Sequence, residues 1–349
     1  MRLKFSAVLL AFALTLSPAA FALTIQLNAN AGLRENSDAL AAFRRGAAEW
    51  ESVILSPITI YIDANFGPTD ADGSPFDTNV IGTTGYTFYT SDLSDLNRPF
   101  NVVRDAMAAR ASRPGDELLA WLPTSAQVAA EVPSGATFVQ SSLGVLRANQ
   151  RALGLLSGTD TRADAVISFN SNFAFDYDRS DGVGLNLLDF QTVVAHEIGH
   201  ALGFQSDVDD FDAFSAPADN LTTFDLFRFP ASHAPGSLAE FTSFARELKP
   251  GVASVFTDLA VSYAFSTGKY QGDGNQASHW QDDYLVSGSN VQIGPLIGIM
   301  DPTLSPGTVE TISAADLRAM ELMGYDTVPE PAAWLLLVPA TLVLLRRRR

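Results

Sequence analysis

The sequence of 349 residues contains no cysteine and only four histidines, and its basic residues are few. Without cysteine the chain has no disulfide, thiolate metal site, thiol nucleophile or iron–sulfur cluster. Any imidazole-based site must therefore draw on His196, His200, His233 and His279. The formal net charge is −17, from 22 Lys and Arg against 39 Asp and Glu. This acidic balance argues against nucleic-acid binding, which needs a basic surface.

The two ends of the chain differ in composition from the rest. Residues 1–22 have the pattern of a secretory signal peptide: a positive start, an apolar run over 7–16 and Ala20-Phe21-Ala22 as a cleavage motif. Residues 328–349 contain Pro-Glu-Pro, an apolar stretch and four terminal arginines. The apolar stretch is shorter than the roughly 20 residues of a membrane-spanning helix. Without residues 1–22 and 330–349, the remaining body has a net charge of −22, which favours solubility.

The order of the three C-terminal parts resembles the PEP-CTERM sorting signal of Gram-negative bacteria. This resemblance implies transient anchoring in the inner membrane and removal of the segment by an exosortase-type processing enzyme. The mature protein would then lie at the cell surface, in the extracellular matrix or in the medium. The alternative is a plain C-terminal membrane anchor that stays attached.

The length fits one large domain or two, and residues 23–327, taken as one α+β domain, contain both strand-like alternation and helical periodicity. Strands are predicted at 23–28, 57–63 and within 163–175. Helices are predicted at 37–53, 100–111, 125–131, 187–202 and 313–323. The last helix starts at Ser313, and Asp316 three residues further on resembles its capping partner. Residues 66–100 are expected to be a loop, residues 144–156 fit either a strand or a helix, and residues after 204 are expected to be loop-rich. The first three predicted elements of this domain are a strand, an amphipathic helix and a strand. This order indicates a crossover unit.

The helix predicted at 187–202 carries His196-Glu197-Ile198-Gly199-His200. This is the HExxH motif, in which a spacing of four residues places both imidazoles on one face of the helix, one turn apart. Neutral imidazoles are good Zn²⁺ ligands. Glu197 is adjacent to the first ligand and can serve as the general base for a metal-activated water. Gly203 fits the end of this helix, because glycine adopts positive φ readily.

Two histidines do not complete a catalytic zinc site, which normally takes three protein ligands. Ser206 stands where HExxHxxGxxH proteins have their third histidine and cannot replace it. The remaining candidates are one of the acids Asp207, Asp209 and Asp210, or His233, or His279.

The third ligand is suggested by a resemblance. HExxHxxG opens the metzincin pattern, and Ala277-Ser278-His279-Trp280 with Gly298-Ile299-Met300-Asp301-Pro302 resembles the leishmanolysin branch. In that branch a long insertion precedes the third histidine, and a methionine-containing turn follows it. The resemblance implies that His196, His200 and His279 hold one catalytic Zn²⁺ ion and that Met300 lies beneath it in a Met-turn. The sequence departs from this branch because it contains no cysteine. In addition, no tyrosine follows Met300 to act as the transition-state hydrogen-bond donor of some metzincins, and Tyr284 is the candidate for this role.

The resemblance further implies a zincin-like fold with a twisted mixed sheet and an active-site helix. A cleft is expected between an upper subdomain (23–203) and a loop-rich lower subdomain (204–327). An edge strand within 163–175 is expected to hold an extended protein or peptide substrate. The predicted function is that of an exported zinc-dependent endopeptidase with Glu197 as general base. The alternative is a non-catalytic surface or biofilm-matrix protein that has a zincin fold.

A second cofactor is suggested only by Asp176, Asp178 and Asp181, which precede Gly182 with the spacing of a partial calcium loop. Several positions of a complete EF-hand loop are missing, so the pattern indicates calcium weakly.

Overall fold

The computed structural model of the protein describes residues 22–85, 96–283 and 294–329. Residues 1–21 of the predicted signal peptide (1–22), residues 330–349 of the predicted sorting signal (328–349), and Tyr284 lie outside these ranges. No helix within the described ranges combines the length and the hydropathy needed to span a bilayer.

The described residues form an α+β fold with mixed sheets. The helices are α1 (Ala31–Glu35), α2 (Ser37–Val53), α3 (Phe100–Ala108), α4 (Arg147–Ala152), α5 (Phe190–Leu202), α6 (Val208–Phe214), α7 (Leu238–Ser243) and α8 (Ala314–Leu322). The strands are β1 (Thr24–Ala29), β2 (Thr59–Gly67), β3 (Gly82–Gly85), β4 (Asn97–Pro99), β5 (Ala130–Glu131), β6 (Thr137–Gly144), β7 (Ala165–Asn170), β8 (Phe175–Asp176), β9 (Leu188–Asp189), β10 (Ala218–Thr222), β11 (Arg228–Pro230), β12 (Arg246–Glu247), β13 (Ser254–Thr257) and β14 (Ser262–Ala264).

The principal sheet has four strands in the order β1-β2-β7-β3. Strands β1, β2 and β7 are parallel, and β3 runs antiparallel to β7. The predicted crossover unit is confirmed, because α2 connects the parallel neighbours β1 and β2. The predicted edge strand within 163–175 is wrong: β7 lies between β2 and β3, and all six of its residues are buried. The terminal strand next to it is β3.

Helix α5 lies in the interior and packs on α2 at a close crossing. A Cβ atom at Gly46 of α2 would come within 2.9 Å of the Gln191 carbonyl oxygen, so the two backbones approach as only glycine allows. The Trp50 indole N–H of α2 donates a hydrogen bond of 2.7 Å to the Ala195 carbonyl of α5. This contact fixes the helix that carries the HExxH motif relative to α2.

The remaining strands form four small sheets, in the orders β10-β6-β4, β11-β13-β14, β12-β5 and β8-β9. Strand β6 pairs with β10, and β5 pairs with β12, so chain segments from before and after α5 share sheets. The many short strands and long connections after residue 204 agree with the loop-rich character expected there.

Two predictions of local structure need correction, and one ambiguity is resolved. Residues 66–100 contain β3 and β4, which form because they pair with β7 and β6. Residues 125–131 are not helical. The Thr124 amide and hydroxyl donate hydrogen bonds to Gln127 Oε1 in a turn, and the chain then enters β5, which pairs with β12. Residues 144–156 contain α4. The predicted capping pair is confirmed, since Ser313 and Asp316 form a capping box at α8.

Candidate metal centre

The HExxH motif lies on α5 as predicted, and both ends of this helix are defined by specific residues. At its start, Asp189 accepts hydrogen bonds from the Thr192 amide (3.1 Å) and hydroxyl (2.7 Å). At its end, Gly203 has φ of 132°, which turns the chain back on itself. The Phe204 carbonyl is thereby brought to 2.7 Å from His200 Nδ1.

The structure brings His279 to the two histidines of α5. The Nε2 atoms are 3.2 Å apart for His196 and His279, 3.2 Å for His196 and His200, and 3.1 Å for His200 and His279. The three residues form a group that could hold a metal ion. His200 and His279 are 9% and 6% exposed and His196 is half-buried, and all three residues line the floor of a cleft.

Each histidine is oriented by a backbone carbonyl that accepts a hydrogen bond from its Nδ1. The acceptors are Ile299 for His196 (2.8 Å), Phe204 for His200 (2.7 Å) and Gln276 for His279 (3.1 Å). A carbonyl can only accept, so each Nδ1 carries the proton and each Nε2 presents a lone pair. Three lone pairs therefore face one another, an arrangement that a cation would stabilise.

Burial keeps the three imidazoles in the neutral form that binds metals. It lowers the pKa of His196 to about 4 and that of His200 to about 3, and it lowers the pKa of His279 well below the ordinary value. At neutral pH none of the rings is protonated at Nε2, so proton competition for the ligand atoms is weak.

Asp209, one of the acids considered as third ligand, instead holds the loop before His279. Its carboxylate accepts hydrogen bonds from the Ala277 amide (2.6 Å), the Ser278 amide (3.0 Å) and the Ser278 hydroxyl (2.6 Å). Asp207, Asp210 and His233 also lie outside the histidine group. The two aspartates belong to a separate carboxylate cluster, and the exposed His233 ring stacks on Phe244 with centroids 4.1 Å apart.

Met300, which was predicted to lie beneath the metal in a Met-turn, packs against α5. A Cβ atom at Gly199, between the two α5 histidines, would overlap Met300 Sδ. The turn is closed by the Asp301 amide bonding to the Gly298 carbonyl (3.2 Å). The Met300 side chain is fully buried and gives the site an apolar floor.

Asp316 of α8 supports both this turn and the His279 loop. Its carboxylate accepts hydrogen bonds from the Ile299 amide (2.9 Å) and from the indole N–H of Trp280 (2.8 Å), the residue after His279. Asp316 was recognised in the sequence as a helix cap, but its link to the site depends on tertiary contacts that no local pattern shows.

Glu197 faces the strand β3, which the sequence did not reveal. Thr84 of β3 donates a hydrogen bond of 2.7 Å to Glu197 Oε2, and a Cβ atom at Gly82 would come within 2.6 Å of Oε1. Burial raises the pKa of Glu197 to about 7, while the Thr84 hydroxyl acts in the opposite direction. A carboxyl group with this pKa can both accept and release a proton near neutral pH.

The histidines and Glu197 open into a cleft of about 690 Å³. One wall of the cleft is β3, and another contains the acidic residues Asp209, Asp210 and Asp212 of α6. This volume falls within the range of roughly 300–1,000 Å³ that is usual for ligand sites.

The calcium pattern predicted around Gly182 is not assembled as a cation site. Asp176 accepts hydrogen bonds from the amides of Asp178 and Gly184, and Asp178 accepts one from Ser180, so these side chains cap turns. Within the described ranges, two other carboxylate groups have atoms close enough to share a cation: Asp207 with Asp210 and Asp219, and Asp282 with Asp283 and Asp301.

Comparison of the chain with protein-family models, with curated proteins and with solved structures gave no match. The function of the protein must therefore be inferred from the geometry of the site.

Proposed function

We propose that this protein is an exported zinc-dependent endopeptidase of metzincin-like fold. The observation that carries the proposal is the convergence of three Nε2 lone pairs, from His196, His200 and His279, at the floor of an open cleft beside Glu197. A structural zinc site would normally fill all four positions with protein ligands, whereas three histidines leave one position for chemistry.

The spacing of the histidines fits zinc. Zn–N bonds of about 2.0–2.1 Å at tetrahedral angles place the ligand nitrogens about 3.3–3.4 Å apart. The Nε2 atoms here are 3.1–3.2 Å apart, and each ring is already held by a carbonyl. Zinc at this site would supply a Lewis acid that polarises the scissile carbonyl and acidifies water.

Glu197 performs the proton transfers in this proposal. As the carboxylate it takes a proton from the attacking water, and as the acid it delivers that proton to the nitrogen of the leaving amine. Its pKa of about 7 suits both steps. Thr84 orients the carboxyl group through Oε2, and Gly82 leaves room for Oε1 because it has no side chain.

Strand β3 is the proposed support for the substrate backbone. It is the terminal strand of the described four-stranded sheet and lines the cleft next to Glu197. An extended peptide could pair with such a strand and present its carbonyl to the histidine group. We place substrate pairing on Gly82–Gly85 rather than within 163–175, since β7 has neighbours on both sides.

Export and processing belong to the same proposal and are supported by the sequence patterns alone. Residues 1–22 would direct the chain across the inner membrane, and residues 328–349 would hold it there until an exosortase-type enzyme acts. The mature enzyme would work at the cell surface, in the matrix or in the medium of a Gram-negative bacterium.

The test measures hydrolysis of an unfolded protein together with bound zinc by elemental analysis. Wild type should bind one zinc ion per chain and cleave; Glu197→Ala should keep zinc and lose cleavage; His279→Ala should lose both. His233→Ala is the matched control, because this exposed histidine lies outside the group and should behave as wild type. Equal inactivity of zinc-loaded wild type and Glu197→Ala would contradict the enzyme and favour a surface or biofilm-matrix protein.

A further inference from the structure

A second group of side chains lies where α6 meets β10, beside the cleft. Asp207, Asp210 and Asp219 each bring one carboxylate oxygen to within 4.8 Å of the others. Asp207 precedes α6, Asp210 lies in its first turn, and Asp219 lies near the start of β10. Asp210 and Asp219 are close enough to share a proton in a side-chain hydrogen bond. Three carboxylates at this spacing repel one another unless a proton or a cation lies between them.

The surroundings of the Asp207 side chain indicate a cation independently of the number of acidic residues nearby. It is only 7% exposed, and no described residue donates a hydrogen bond to its carboxylate or forms an ion pair with it. Burying a carboxylate without a donor or a cation is strongly unfavourable. The neighbouring Asp225 shows the contrast: it accepts bonds from Ser206, from the Asp207 amide and from Thr222.

A fourth oxygen faces the same region. Asn220 is 4% exposed, and its side-chain amide donates to Asn97 Oδ1 (2.6 Å) and Ser142 Oγ (3.0 Å). These bonds leave Asn220 Oδ1 without a donor among the described residues. Asn220 Oδ1 and Asp207 Oδ2 each lie 3.5 Å from the Cβ position of Gly144, on the same side of β6.

We propose that Asp207, Asp210 and Asp219, together with Asn220 Oδ1, bind a Ca²⁺ ion that joins α6 to β10. All four ligands are oxygens, which Ca²⁺ prefers, and Ca–O distances of about 2.3–2.6 Å place opposite ligands up to about 5 Å apart. Burial raises the pKa of Asp219 to about 7 and the pKa of Asp207 well above its ordinary value. A bound cation would offset this unfavourable burial.

The site would also affect the candidate metal centre. Asp209 lies on α6 between two of the proposed calcium ligands, and it holds the loop that carries His279. Fixing α6 against β10 would therefore hold Asp209 in place. The calcium proposal does not depend on the peptidase proposal, because its ligands are distinct from the three histidines.

The experiment titrates the full-length, zinc-saturated protein with CaCl2 by calorimetry and records Tm with and without calcium. We expect one calcium ion per chain with a Kd of about 10⁻⁴–10⁻³ M or tighter. At about 100 times Kd, Tm should rise by about 5 °C. Mg²⁺ should stabilise less, because it demands a smaller octahedral site. Equal stabilisation by Mg²⁺ would overturn the assignment to calcium.

The test variants are Asp207→Asn and Asp219→Asn. Asp181→Asn is the control, because Asp181 is exposed and belongs to the partial calcium loop that was predicted from the sequence. Each of the first two should weaken calcium binding at least tenfold, while Asp181→Asn should not change it. In chelator, Asp207→Asn should unfold at the same temperature as wild type or higher, because one repelling charge is gone. The proposal is overturned if wild type shows no calcium-dependent Tm, if both variants bind normally, or if only Asp181→Asn loses binding.

Discussion

Replacing Asp209 by alanine should weaken zinc binding although Asp209 is not among the ligands. The substitution removes the acceptor of three hydrogen bonds, from the Ala277 amide and from the amide and hydroxyl of Ser278. These bonds hold the two residues that precede His279. Without them the loop can sample positions in which His279 Nε2 no longer meets the other two histidines.

The magnitude follows from the indirect role of Asp209, which contacts the loop before His279 and not the His279 ring. Loss of an outer partner of a metal-binding histidine typically weakens metal binding by about 10–100-fold. Asp209 acts on the backbone before His279, while the ring keeps its own bond from Nδ1 to the Gln276 carbonyl. We therefore expect the lower end of the range, about tenfold, which corresponds to about 1.4 kcal/mol.

Asp212→Ala is the matched control, because Asp212 lies on the same helix and holds a different loop. It accepts hydrogen bonds of 2.8 Å from the amides of Tyr270 and Gln271. Zinc affinity is measured for both variants by competition with a chromophoric chelator, and folding is checked by circular dichroism. Asp212→Ala should bind zinc as wild type does. Equal zinc affinities for Asp209→Ala and Asp212→Ala would refute the reasoning.

Two further predictions concern Gly82 and Glu310, which both line the cleft. Gly82→Ala should abolish hydrolysis and leave zinc bound, because the new methyl group would displace the Glu197 carboxylate. Gly67→Ala is the control: no atom lies within 4 Å of the Cβ position at Gly67, so this variant should hydrolyse substrate and bind zinc as wild type does. Glu310 is a buried residue that also lines the cleft. Burial, and to a smaller extent the negative charge of Asp301, raises the pKa of Glu310 to about 9. The folded state therefore binds more protons than the unfolded state between about pH 4.5 and 9. Stability should thus fall as pH rises through this window, and Glu310→Gln should remove the loss. In urea unfolding the variant should match wild type near pH 4 and exceed it by roughly 3 kcal/mol at pH 7; a constant difference at both pH values would contradict this.

The parts of the molecule that the sequence predicted best are those decided by local periodicity and capping. Helix α5, its end at Gly203 and the capping box of α8 follow from residues that lie within a few positions of one another. The meeting of His279 with the α5 histidines, 79 residues away, was reached by resemblance alone, since no local pattern specifies it.

Strand β3 was missed because its residues, Gly-Thr-Thr-Gly, have no apolar alternation and low strand propensity at both ends. It forms by pairing with β7, whose own sequence is strongly apolar. The same omission misplaced the edge strand. Asp209 illustrates a different limit: a carboxylate can bind a cation or accept backbone N–H groups, and only the neighbouring atoms decide which it does.

The hydrogen bond from Ile299 to Asp316 has a consequence for the order in which the site is assembled during synthesis. Ile299 holds His196 through its carbonyl and is itself held through its amide by Asp316, a residue of the last described helix. A ribosome makes the HExxH helix more than a hundred residues before Asp316. The contact that supports the His196 ring through Ile299 is therefore completed only after α8 has been synthesised.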